Sequence, residues 1–88
     1  MSIINFPSPL LTPEDEEAII ARVVDSKYCG CRRTTMRDGI PAMALLNRVQ
    51  QVRGTITKQY GVYAILDPRG VAVTESRKLE DILSVLAT

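Results

Sequence analysis

The sequence predicts a small single α+β domain in the order helix, short helix or loop, helix, β-hairpin, helix, preceded by an extended arm over residues 1–11. Three observations predict it. Apolar residues recur at helical spacing in three separate stretches. An Asp67-Pro68-Arg69-Gly70 turn separates two β-branched runs. A chain of 88 residues has room for one hydrophobic core and no second one.

Taken in order, Pro7 and Pro9 exclude a helix from the arm, and Ile3, Ile4 and Phe6 give it apolar residues that can pack on the domain or on a second subunit. Thr12 is a good helix N-cap, Pro13 suits the first helical position, and Glu14 to Glu17 sit where the helix dipole favours anions. Asp15, three residues after Thr12, makes a short-armed capping box. Ile19, Ile20, Val23 and Val24 form an apolar stripe, so a helix is expected from Pro13 to about Ser26. Residues 27–39 are polar and basic, with a short helix around Arg33 to Asp38 as one option. A second helix is expected over 41–53. Pro41 opens it, Ala42, Leu45, Leu46, Val49 and Val52 build a buried face, and Gly54 ends it. Its opposite face carries Ala44, Asn47, Arg48 and Gln51. Thr55 to Thr57 and Gly61 to Leu66 then read as strands. The turn at 67–70 and the alternating Val71 to Thr74 complete a hairpin. Ser76 can cap a last helix with Leu79, Ile82, Leu83 and Leu86 on one side. That stripe fits two roles, closing the core over the hairpin or forming a dimer seam.

Hydrophobic residues make up 45% and charged residues 24% of the chain, the balance of a globular protein. The net charge of +1 says little, but its distribution is uneven. Residues 1–26 hold five acids against Arg22, residues 27–69 hold eight bases against Asp38 and Asp67, and the remainder is near balance. A basic middle between acidic ends is the pattern of a protein with an anionic partner, or of ends and middle that neutralise each other within one fold.

Enzyme chemistry is not expected. There is no histidine for a triad, an acid–base pair or an imidazole metal site, and no glycine-rich phosphate loop. The carboxylates cluster where helix capping accounts for them. Cys29-Gly30-Cys31 provides too few ligands for a zinc site within one chain, and two reduced thiols near a turn is the simpler reading. No catalytic residue, metal or cofactor is therefore assigned. No apolar run is long enough to cross a bilayer and the first residues lack a basic signal-peptide start, so no membrane association and a cytoplasmic location are expected.

Gly39-Ile40-Pro41, the spacing to Arg48-Val49, Arg53-Gly54-Thr55-Ile56, and Tyr63-Ala64-Ile65-Leu66-Asp67-Pro68-Arg69-Gly70 together resemble the second half of a winged helix-turn-helix DNA-binding domain, over about Gly39 to Val73. The slot before the turn departs from that family, with Thr34, Thr35 and Asp38 where aliphatic residues are usual. The resemblance implies a winged-helix-like fold and a small transcriptional regulator binding double-stranded DNA, often as a homodimer. It implies that Ala44, Asn47, Arg48 and Gln51 face the major groove, that Arg32, Arg33 and Arg37 meet phosphates, and that Arg69 at the hairpin tip reaches phosphate or the minor groove. The alternative expectation is a protein–protein interaction module, an adaptor or inhibitor, that docks on a larger protein partner through the apolar arm and the last helix.

Overall fold

The computed structural model describes residues 10–24, 26 and 28–86, and it places one five-stranded antiparallel sheet beneath two helices. The elements run α1 (Pro13–Val23), β1 (Gly30–Thr35), β2 (Pro41–Leu46), β3 (Val52–Gln59), β4 (Val62–Leu66), β5 (Ala72–Ser76) and α2 (Leu79–Leu86). The strands follow one another as a meander in the order β1-β2-β3-β4-β5. The fold is α+β, as expected, but it is not a winged helix. Of the arm expected over residues 1–11, residues 1–9 lie outside the described residues, and Leu11 is buried in the core.

Helix α1 starts as its sequence dictates. The Thr12 Oγ1 accepts the Asp15 N–H at 3.2 Å, and Asp15 Oδ2 accepts the Thr12 N–H at 3.1 Å, a complete capping box. Only part of its apolar stripe is buried: Ile19 and Val23 enter the core, while Ile20 and Val24 are exposed. In α2, Ile82 and Leu86 are buried, with Leu79 and Leu83 packed against the same core. The stripe therefore closes the core. Ser76 is the last residue of β5; its Oγ accepts the Lys78 N–H at 3.1 Å and donates to Asp81 Oδ2 at 2.6 Å, which leads the chain into α2.

The helix expected over 41–53 is instead strand β2, a turn, and the start of β3. Residues Pro41 to Leu46 are apolar at every position, which satisfies a doubly buried strand as well as a helix. Two members of the supposed buried face, Val49 and Val52, are exposed. Gly54 does not cap a helix; it lies buried in β3, where a Cβ would meet the Leu66 carbonyl oxygen at 3.3 Å and Leu45 Cδ1 at 3.4 Å. The option of a short helix near 33–38 gives way to edge strand β1 followed by a tight turn.

Three of the four strand connections share one architecture. In each, the N–H of the first residue bonds to the carbonyl of the fifth, and the N–H of the fourth returns to the carbonyl of the first: Met36 with Ile40 and Gly39, Asn47 with Gln51 and Gln50, Asp67 with Val71 and Gly70. The fourth residue takes positive φ each time, 84° at Gly39, 64° at Gln50 and 88° at Gly70. The remaining connection is a two-residue hairpin, Tyr60-Gly61, with positive φ at both residues.

Paired residues of an antiparallel ladder share a side of the sheet. One side carries the rung Arg33–Met43–Ile56–Ile65–Thr74, flanked by Cys31–Leu45–Gly54 and by Lys58–Tyr63–Ser76. The helices lie on that side, and Leu11, Ile19, Val23, Ile82 and Leu86 join Met43, Leu45, Ile56, Tyr63 and Ile65 in the core. Two polar ties fix α1 there. Glu16 Oε2 lies 2.7 Å from Arg33 Nε. Tyr63 Oη donates to Asp15 Oδ1 at 2.9 Å and accepts from the buried Lys58 Nζ at 3.2 Å. Burial, reinforced by the hydrogen bond to Asp15 and by its charge, pushes the Tyr63 phenol up to about 12.

Candidate functional site on the open face of the sheet

Among the described residues no helix lies over the other side of the sheet, which sets alanine and leucine among its threonines, with Arg32 and Glu75 on the edge strands. The ladder register places Thr34–Ala42–Thr57–Ala64–Glu75 across one line and Arg32–Ala44–Thr55–Leu66–Ala72 across the next. Ala42 and Ala44 are only 1% and 2% exposed. Met36, from the β1–β2 turn, and Gly70, from the β4–β5 turn, line the same two grooves although their hairpins are not neighbours in the sheet. The sheet therefore curls around its open side. Two bulges help: Arg53 is an extra residue in β3 and Val73 in β5, and bulges bend and twist the strands that carry them.

The grooves adjoin and share Met36, Leu66 and Gly70. The first, about 450 Å³, lies over Thr57, Val62 and Ala64, with Gln59, Tyr60 and Glu75 at its rim. The second, about 480 Å³, continues over Thr55 and Val52 and ends among Arg37, Asp67 and Arg69. Asp67 is committed to its own turn, since its Oδ1 accepts the N–H groups of Arg69 and Val71, both at 2.9 Å. One polar atom in the trough is unsatisfied. Thr57 is 5% exposed, and its Oγ1 has no hydrogen-bond partner. A buried hydroxyl without a partner is costly, and a ligand offering a donor or acceptor removes that cost.

The residues expected to contact DNA are dispersed. Arg32 is on the open side of β1, whereas its neighbour Arg33 is on the helix side, paired with Glu16. Arg37 and Arg69 meet at the second groove. Ala44 forms part of the sheet and is buried. Asn47, Arg48 and Gln51 belong to the β2–β3 connection, not to a helix face. There Asn47 Oδ1 accepts the N–H groups of Val49 and Gln51 at 3.0 Å, and its Nδ2 donates to Gln51 Oε1 at 3.2 Å. Those amides hold a turn together. The sequence reading overlooked Met36, Thr57, Ala64 and Glu75. The signal that marks Thr57 and Ala64 is threonine and alanine at the strand positions that alternate with the core residues; nothing in the sequence marks Met36 or Glu75.

Charge is segregated by layer. Helices α1 and α2 hold six acids and Arg22, while the sheet and its connections from Tyr28 to Ser76 hold seven bases and three acids. Both thiols are free: Cys29 is exposed, and Cys31 is packed against the core, where burial pushes its pKa up. Among the described residues no group of three or more His, Cys, Asp or Glu is arranged to hold a metal ion, and no helix is long and apolar enough to cross a membrane. Comparison with protein-family models, with curated proteins and with solved structures found no match to this chain.

Proposed function

We propose that this chain is a non-catalytic protein-interaction module whose working surface is the open side of its sheet. The observation that carries the reading is that the described helices cover only one side: the other sets Ala64, Ala72 and Leu66 among its threonines, and two adjoining grooves run across it. Apolar surface left open in this way is typical of a partner site. The reading differs from the arm-and-last-helix route anticipated from sequence, because α2 spends its apolar stripe on the core.

A photo-reactive residue at position 64, on the open floor, tests the proposal against one at position 84 on the outer side of α2. The expected result is a discrete protein adduct from position 64, suppressed by excess unlabelled chain and absent from position 84. Adducts from position 84 alone would remove the reading. Nucleic acid is the competing partner because the sheet layer is basic. Anisotropy with a mixed-sequence duplex at two salt concentrations separates the two. Micromolar binding that falls steeply with salt would replace the protein partner by DNA; no binding at low salt is expected.

A further inference from the structure

Building on the open side as the working surface, we infer that the trough takes an extended polypeptide segment, apolar in its middle, with a carboxylate at the end that meets Arg37 and Arg69. Its length follows from β4, which runs beneath it. Five residues at about 3.3 Å each make a trough of roughly 17 Å, matching five or six residues of extended peptide. The floor is too shallow for bulky groups to be enclosed but offers continuous apolar contact along Val62, Ala64, Leu66 and Met36.

Polarity gives the segment its direction. Arg37 and Arg69 stand at one end, where Asp67 is occupied by its own turn, and Glu75 flanks the middle, on the cross-strand line of Thr57 and Ala64. An acidic residue is favoured at the first end and repelled at the middle. Midway, Thr57 lines the trough with its Oγ1 buried and unpartnered; a turn about χ1 brings the hydroxyl to the trough, where it can donate to a peptide C=O or accept from a peptide N–H. Other occupants fit less well. A second copy, open side to open side with its trough parallel, would set Arg37 and Arg69 against their own kind; an antiparallel copy would not, and a dimer in light scattering that blocks peptide binding overturns the peptide as occupant. Single-stranded nucleic acid needs aromatic platforms for its bases, and this floor is aliphatic, with Tyr60 only at the rim.

The test pans a displayed library of random peptides of about eight residues, a little longer than the trough, against the full chain. Enriched peptides are then titrated into isotopically labelled protein. Enrichment of an apolar core with Asp or Glu at one end is expected, with shifts centred on Thr55, Thr57, Ala64 and Leu66. Thr57→Val, which keeps the shape and loses the hydroxyl, is expected to weaken binding about five- to tenfold, and Thr57→Ser to restore most of it. Arg69→Glu is expected to weaken it at least about tenfold by placing like charge against the ligand. Unchanged affinity in Thr57→Val, or enrichment without acidic residues, overturns the peptide chemistry. If shifts still fall on the open side in that case, the working surface stands. Shifts confined to the helices overturn both. Removal of residues 1–9 that by itself moves the floor resonances identifies the chain's own start as the occupant and overturns a foreign peptide.

Discussion

Replacing Tyr63 by phenylalanine tests whether the polar tie beneath α1 stabilises the fold or merely fills space. The ring stays, so its packing in the core is kept. The hydroxyl goes, and with it the bond to Asp15 at 2.9 Å and the acceptor for Lys58 Nζ at 3.2 Å. Each bond is worth about 1 kcal/mol net, and a buried donor left without an acceptor adds about 1 kcal/mol more, so the expected loss is about 2–3 kcal/mol. For a domain of this size that lowers the melting temperature by roughly 10–15 °C. Lys58→Met provides the counterpart. It removes the buried amine, which is 5% exposed, and keeps the Tyr63–Asp15 bond; such apolar replacements are commonly near neutral. The double variant should then be more stable than Tyr63→Phe alone, because no donor is left stranded. Urea unfolding of the four proteins measures the cycle. A Tyr63→Phe loss below about 0.5 kcal/mol, or a double variant whose loss is the sum of the singles, would refute the reasoning.

Four further outcomes follow from the same structure. The Tyr63 phenol is raised in the fold to about 12 against an ordinary 10.0, so its contribution to stability is complete below pH 10 and is lost as pH rises through about 12; alkaline unfolding should show this loss in the parent and not in Tyr63→Phe. Gln50→Gly should stabilise the chain by about 0.5–1 kcal/mol in urea melts, since Gln50 holds a φ of 64° that glycine adopts without strain. Gly54→Ala should cost about 1–2 kcal/mol, because the new methyl meets backbone oxygen at 3.3 Å in a closed part of the sheet. Iodoacetamide should label Cys29 well before Cys31, as Cys29 is exposed and burial holds the Cys31 thiol protonated; mass spectrometry of partly labelled protein reads the order.

The ends of the chain were legible because their signals are local. Thr12, Pro13 and Asp15 describe a helix start that needs no distant partner, and Asp67-Pro68-Arg69-Gly70 describes a turn with its glycine in place. The middle failed for two physical reasons. Pro41 to Leu46 is buried on both sides of a central strand, and a run apolar at every position has no period with which to separate strand from helix. The turn that should have broken the supposed helix is the same turn as at 36–40 and 67–71, but with Gln50 where the others have Gly39 and Gly70. Without that glycine, Asn47 to Gln51 reads as a polar helix face. Edge strand β1 was hidden for a different reason: both of its sides are largely open, so Arg32 to Thr35 shows no apolar alternation.

The site was lost together with the helix, and the loss is geometric. Successive residues on a strand point to opposite sides, so a basic pair such as Arg32-Arg33 is split by the fold, one to the open side and one to Glu16. On a helix, Asn47, Arg48 and Gln51 would have shared one outward side; in a five-residue turn Asn47 and Gln51 bind each other. What survives from the sequence is the basic character of the middle, now seen as a sheet layer beneath the acidic helices, with Arg33 turned toward Glu16. The more telling signal is what the open positions lack. A half-buried sheet position gains little from alanine at 64, and Lys, Glu or Thr there would protect the side against sticking to other chains. Alanine there keeps the floor low enough for the proposed peptide. That makes Ala64→Lys an informative substitution: Ala64 is only half-buried, so the fold has room for the longer side chain, while any peptide bound along β4 would be displaced.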